Sequence, residues 1–409
     1  MNAHRSGIGT PPHRSHLPVR ILFSSWPSHG HLLPMLPMIR AAIDAGHEVR
    51  VASGADLSTL VEARGLTAEV AGPTLAQSYA AAAEANRKAG PATLGALERV
   101  DPHRAALMAA RTFFGASAAR RAHDLLAVFD RWRPELVIHD TVEVGGATAA
   151  EVAGLPHVLH SYGPLVPGQG GFAEEIGAAV AAAGLPDPTR GVFAAPYLEV
   201  CPPSLQPAGA EPWTDIRPVR PSAGEIPAGE SLPPAFFELP HPRTIYLTLG
   251  TVTNQAPQVF GTVLDACVRH PVNVVVTTGP GVDPADVAGG RPNVLAVPYL
   301  SQALVLPHCV AVVSHCGAGT MFGALAHGLP QLCLPQGTDQ PSNAAAVAAA
   351  GAGVVLVPDR VDVDAVSGAL DRVLGDSAIR AAADRIRGEI DRMPAPADVL
   401  PTIIDRVAR

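Results

Sequence analysis

The chain has 409 residues, a net charge of −8 and a single lysine, Lys88, among its 29 Lys and Arg residues. That length suits two to three domains, while the charge excludes the basic face that nucleic acid requires and leaves no lysine framed for a Schiff base or a Walker loop. Five irregularly spaced cysteines fit a reducing cytoplasm better than a disulfide framework, and no stretch is apolar and long enough to span a bilayer.

Residues 1–18 lack the apolar core of a signal peptide and read as a disordered tail. Val19–Ser25 is the first expected strand, followed by Trp26-Pro27-Ser28-His29-Gly30-His31, a helix running to Gly46 and a second strand at Glu48–Ala52. This is the opening unit of a parallel, doubly wound α/β sheet, whose ligands sit beyond the carboxyl ends of the strands. His29 and His31 lie at that edge, where a histidine serves as a helix cap, a surface residue or a base. Residues 72–118 read as a mostly helical insertion of the kind that shapes a specificity pocket, with Phe113 and Phe114 lining it or packing in the core. A helix over Ala118–Trp132 leads to the strand Glu135–His139, which ends on Asp140, a carboxylate suited either to cap the next helix or to take part in catalysis.

A strand, polar turn, small-residue helix, Gly-Leu-Pro and second strand occur twice, around Asp140 and around His315, which implies two similar α/β domains. We place the first at 19–204, a Pro-rich linker at 205–242, the second at 243–390, and a final helix at 391–409 that packs back across the junction. Second-domain strands are expected at 243–249, 272–277, 293–297, 310–314, 331–334 and 354–357.

Val310–Ser314 is an apolar strand, His315-Cys316-Gly317-Ala318-Gly319-Thr320 a glycine-rich turn, and the next residues a helix stopped by Gly328. Free N–H groups and the positive end of the helix dipole make such a turn an anion site. Neither Lys nor Arg occurs between Arg291 and Arg360, so a bound phosphate would be held by backbone, His315 and the Thr320 hydroxyl. A nicotinamide dinucleotide fold fits poorly. Gly317, Gly319 and Gly323 spell G-x-G-x-x-x-G, and Asp339 lies in a polar loop beyond the strand that a ribose-binding acid should end. A metal site is also disfavoured, since the strand between His308-Cys309 and His315-Cys316 separates the pairs by roughly 20 Å. Asp362-Val363-Asp364 is better read as the acidic start of a helix than as metal-binding acids.

Six motifs occur in order: GHxxP at Gly30–Pro34, VIHD at Val137–Asp140, LTLGT at Leu247–Thr251, PYLSQALVLP at Pro298–Pro307, HCGAGT at His315–Thr320 and DQxxNA at Asp339–Ala344. With them the chain resembles the GT-B glycosyltransferases of family 1 from about residue 18 onward. It looks most like the actinobacterial enzymes that glycosylate antibiotic and other natural-product aglycones. The resemblance implies two Rossmann-like domains facing a cleft and a cytoplasmic, metal-independent, inverting hexosyltransferase without a cofactor. Its partners would be a nucleotide-sugar donor and a hydroxyl of a bulky apolar acceptor, with no nucleic acid or membrane partner and with a homodimer compatible with the sequence.

Residue by residue, the resemblance makes His31 the general base and Asp140 its orienting carboxylate. It gives donor contacts to Gly250, Thr251, Tyr299, Leu300 and Gln302, with Tyr299 facing the base and Gln302 contacting the nucleoside. His315, Cys316, Gly317, Ala318, Gly319 and Thr320 fall to the diphosphate, and Asp339 and Gln340 to the sugar hydroxyls. Cys316 stands where bacterial relatives commonly carry glycine. Gly323 stands where plant relatives carry a glutamate that binds both ribose hydroxyls, which favours a dTDP-sugar over a UDP-sugar. The alternatives are a sugar-nucleotide epimerase or a lipid-directed transferase of the same fold, or an inactive auxiliary protein for a partner transferase.

Overall fold

The computed structural model describes residues 17–88, 107, 110–165, 169–207, 213–222, 224–250, 257–279 and 281–407. Two all-parallel sheets form its frame. The first contains β1 (Arg20–Ser24), β2 (Glu48–Ser53), β3 (Ala68–Val70), β4 (Leu136–Asp140), β5 (His157–His160), β6 (Tyr197–Glu199) and β7 (Ile216–Pro218), in the order β3-β2-β1-β4-β5-β6-β7. The second contains β8 (Thr244–Thr248), β9 (Asn273–Thr277), β10 (Val294–Val297), β11 (Ala311–Ser314), β12 (Gln331–Cys333) and β13 (Gly353–Val355), in the order β10-β9-β8-β11-β12-β13. Central strands β4, β8, β9 and β11 are buried along their whole length, apolar in the middle with polar residues at their ends, as strands are when helices cover both faces.

Strand order reverses between β1 and β4 in the first sheet and between β8 and β11 in the second. At such a reversal neighbouring crossovers leave in opposite directions and open a crevice at the carboxyl ends. The sequence places His31 after β1 and Asp140 at the end of β4, Gly250 after β8 and His315 after β11. Both groups of expected site residues therefore stand at switch points.

The expected single helix after β1 is broken. The chain forms a turn of α-helix at His29–Leu32, a 3₁₀ turn at Leu33–Met35 and a helix at Leu36–Asp44, because Pro34 and Pro37 supply no N–H to a continuous ladder. His31 thus sits inside a short helical turn rather than in a loop. β7 falls in the segment expected to be linker: its three residues complete the first sheet by pairing with β6, too short a run to show a period in the sequence. Within 72–118 the chain is helical at Leu75–Lys88 and Ala110–Gly115, and residues 89–106 lie outside the described residues. Asp362 caps the helix Val363–Gly375 through Ala365 N (2.8 Å), and Asp364 pairs with Arg269.

One buried apolar cluster crosses from sheet to sheet. It joins Leu32, Met35, Leu36 and Ile39 to Met321, Phe322 and Leu325, and to Leu400, Ile403 and Ile404 of the terminal helix Pro396–Val407, which packs on Leu36–Asp44. Polar ties reinforce the junction: Arg217 Nη1 donates to Thr402 O (3.1 Å), and Ser204 N donates to Glu389 Oε2 (3.1 Å). Between the sheets, Glu225 faces Arg40 (3.3 Å) on one side, and on the other its carbonyl accepts from Ser301 Oγ (2.7 Å) at the start of the helix Gln302–Val305. All five cysteines are free and buried, and Cys309 and Cys316 lie in different apolar clusters. Among the described residues, no helix is long and apolar enough to cross a membrane.

Candidate active site

Asp140 ends β4 with no exposed surface. Its Oδ2 accepts from Trp26 N (2.6 Å), and its Oδ1 accepts from Val142 N (2.9 Å) and Glu143 N (3.2 Å) and faces His31 Nδ1 at 3.4 Å. Burial alone would raise this carboxyl. The facing His31 and the N–H groups of Trp26 and Val142 outweigh it and hold the pKa below the usual carboxylate value. An ionised carboxylate only accepts, so the His31 proton belongs on Nδ1 and Nε2 keeps a free lone pair. The pair has the geometry of a base with its orienting acid, slightly long as such contacts are without substrate.

A folded pKa below the unfolded one means that Asp140 contributes stability above the ordinary carboxylate range and loses it as pH falls through the depressed folded value. Asp140→Asn is therefore expected to flatten the acid limb of a Tm-against-pH curve; an acid limb identical to that of the parent protein would refute this coupling.

Other histidines near Asp140 are excluded as bases. His139 donates through Nδ1 to Asp140 O (3.0 Å), and burial together with His157 pushes its pKa down to about 3. His160 donates to Ser161 O (2.7 Å), and burial pushes it down to about 4. His29 faces Arg64 and Asp56 instead.

Behind the pair lies an ion pair that sequence reasoning did not single out. Arg121 Nε meets Glu143 Oε1 at 3.2 Å with both side chains 1% exposed, and its Nη1 donates to Ser25 O (3.2 Å) and Ala71 O (2.8 Å). Glu143 in turn accepts from Gly146 N and caps the helix Val144–Ala153. Burial pushes the Glu143 carboxyl up to about 7 against the pull of Arg121. Trp26 meets Phe114 edge-on (centroids 4.7 Å), so Phe114 stands one ring from Asp140 while also packing on the core beneath. The Phe113 side chain lies outside the described residues.

Across the cleft, Gly317 precedes the helix Ala318–Ala326 in extended backbone, with no side chain capping its first turn. The His315 ring lies over two glycines. A Cβ on Gly250 would come within 2.8 Å of His315 Nε2, and one on Gly317 within 2.5 Å. Gly250 also has φ +84°, so only glycine suits it. His315 Nδ1 is buried without a partner, and Nε2 is the atom nearest the two glycines. Burial lowers the His315 pKa against the opposing pull of Asp339 and the Thr248 carbonyl. Gly319 is exposed with open space where a Cβ would stand, and Thr320 Oγ1 accepts from Gln302 Nε2 (2.9 Å). Tyr299 is 59% exposed. Thr251 lies outside the described residues.

Three expected donor contacts are reassigned by the structure. Cys316 has no exposed surface; its N–H donates to Ser314 Oγ (3.0 Å) and its carbonyl accepts from Asn343 Nδ2 (3.0 Å). At φ +62° it supplies the bend that glycine gives more easily, and the thiol points into the core. Leu300 is 5% exposed and belongs to the apolar cluster around Tyr246 and Val305. Gln340 folds inward: Oε1 accepts from Gln336 N (2.8 Å) and Gly337 N (3.3 Å), so it shapes the loop rather than reaching a sugar. Asp339 remains at the cleft, oriented by Asn343 Nδ2 (2.7 Å) and Thr338 Oγ1 (3.0 Å). Asn343 was legible as the fifth residue of DQxxNA, one helical turn from Asp339.

Residues 40–225 match the N-terminal domain, and residues 261–405 the C-terminal domain, of the erythromycin biosynthesis protein CIII-like family. The chain is 33% identical to the L-demethylnoviosyl transferase of Streptomyces niveus over 93% of its own length and 96% of that enzyme. It belongs to this glycosyltransferase family. The transferase is also 30% identical to the elloramycin glycosyltransferase of Streptomyces olivaceus, over 93% of its own length and 96% of that enzyme. A Streptomyces sp. SF2575 glycosyltransferase complexed with thymidine diphosphate superposes with a TM-score of 0.75 at 26% identity, covering 95% of the transferase and 99% of that chain. The fold is GT-B, and the transferase is a nucleotide-sugar-dependent enzyme of family 1, as the six motifs imply.

Proposed function

We propose that the transferase moves a deoxysugar from a dTDP-sugar to a hydroxyl of an apolar natural-product aglycone in one inverting displacement. The observation that carries this reading is the His31–Asp140 pair at one switch point facing an uncapped helix N-terminus at the other. His31 Nε2 takes the acceptor proton as the acceptor oxygen attacks the anomeric carbon. The bond from that carbon to the phosphate oxygen breaks on the opposite side. The departing diphosphate keeps the electron pair and is stabilised by the first-turn N–H groups of Ala318–Ala326, by His315 and by Thr320. No step calls for a metal or a cofactor. Asp339 binds the sugar, and the solvent-facing Tyr299 stacks on the base.

Gly323 supports deoxyribose. It provides no carboxylate for ribose hydroxyls, and the space a side chain would need is occupied by Leu306 Cδ1 (3.2 Å from an added Cβ) and Gln302 Oε1 (3.3 Å). Without that carboxylate a ribose 2′-hydroxyl forgoes a charged hydrogen bond worth about 1.5–3 kcal/mol. Relatives solved with thymidine diphosphate point the same way. Calorimetry is expected to show dTDP binding about tenfold more tightly than UDP; equal affinity, or tighter UDP, would reject the donor assignment. A product that kept the donor's anomeric configuration would reject the single displacement.

A further inference from the structure

Tyr162 follows β5 and occupies the space between the two halves of the site. Its ring lies against His31, with centroids 4.2 Å apart and planes inclined by 49°. β5 runs beside β4 with His160 opposite Asp140, so the residues after His160 emerge at the same switch-point crevice as the base. The next residue presses on the other domain. A Cβ on Gly163 would lie 3.2 Å from Ala318 Cβ, in the first turn of the diphosphate helix, and 3.9 Å from Asn343 Oδ1. Asn343 is the residue that orients Asp339. Tyr162 therefore bridges from the base to the carboxylate expected to hold the sugar.

Among the described residues, the Tyr162 hydroxyl has no protein hydrogen-bond partner, although a phenol in this position normally finds one. Burial, and then the carboxylates of Asp339 and Asp140, push its pKa well up, so the group is a neutral O–H donor. In an in-line displacement the transferred sugar must lie between the acceptor oxygen at His31 and the diphosphate at Gly317–Thr320. Tyr162 and Gly163 together reach from the His31 ring to Ala318 across that interval.

We propose that Tyr162 is a substrate-contacting residue, its ring fixing one face of the His31 imidazole and its hydroxyl donating a hydrogen bond to the transferred sugar. This rests on the dTDP-sugar reading above. Tyr162→Phe keeps the ring on His31 and removes only the hydroxyl. Calorimetry with dTDP and with dTDP-glucose separates the two contributions, because only dTDP-glucose carries a sugar. In Tyr162→Phe the dTDP affinity is expected to stay within twofold of the parent, while the affinity for dTDP-glucose relative to dTDP falls about five- to tenfold. Tyr162→Leu, which also loses the ring, is expected to shift the acid limb of the kcat–pH profile, whereas Tyr162→Phe leaves it in place. An unchanged affinity ratio in Tyr162→Phe would overturn the sugar contact. An equal loss for both ligands would reduce Tyr162 to packing. Failure of the parent protein to bind dTDP at all would count against the donor reading and not against Tyr162.

Discussion

His31→Ala is expected to lower kcat by about 10²–10⁴ while dTDP affinity stays within twofold, because general-base assistance contributes that much and the donor turn lies on the other domain. The case for His31 over its neighbours is structural. His139 and His160 are buried with Nδ1 committed to backbone carbonyls, and His29 faces Arg64 and Asp56. Of these four histidines, His31 alone combines a carboxylate at Nδ1 with a side chain that reaches solvent, being 14% exposed. Single-turnover rates with a saturating donor and an accepted aglycone make the measurement. Turnover near the parent level, with donor binding intact, would remove His31 from the reaction and favour an acceptor that ionises without help.

Arg121→Met is expected to cost about 3–5 kcal/mol of stability, the usual consequence of leaving one half of a buried ion pair without its partner. Arg121 also holds the carbonyls of Ser25 and Ala71, and the surrounding residues leave it no alternative position. A Cβ on Gly72, already at φ +82°, would come within 2.8 Å of Arg121 Cζ, and one on Gly145 within 2.8 Å of Glu143 Oε1. The loss should shrink as pH falls through about 7, the raised folded value of Glu143, because below it the buried carboxyl is neutral with or without Arg121. Arg121→Met combined with Glu143→Met is expected to recover more than half of it, since two apolar side chains leave no stranded charge. Urea denaturation of the parent, the single and the double variant tests this; a single variant as stable as the parent would mean that the pair is not desolvated.

The site was legible to the extent that its chemistry is carried by local motifs. His31, Asp140, Gly317, Gly319 and Thr320 each sit at a strand end or helix start, and hydrophobic periodicity marks such ends. Leu300 and Gln340 belong to the same motifs, yet one is core and the other closes a loop, because a motif records residue identity and not which way a side chain turns. Tyr162, Arg121 and Glu143 carried no local signal: their partners lie 131, 96 and 22 positions away or on another strand, as Tyr162 shows against His31 and Arg121 against Ser25.

The sequence by itself determined the two parallel sheets, the positions of Asp140 and of the Gly317–Thr320 turn at strand ends, and the cation-free, glycine-built character of that turn. Apolar runs, glycines and the lack of cations are local properties of the chain. The tertiary structure decided which histidine meets Asp140, that Pro34 and Pro37 set His31 into its own helical turn, that Glu143 needs Arg121, and that Tyr162 stands against His31. Those outcomes depend on the order in which strands pair and on which groups burial forces together, and neither is encoded in any single stretch of residues.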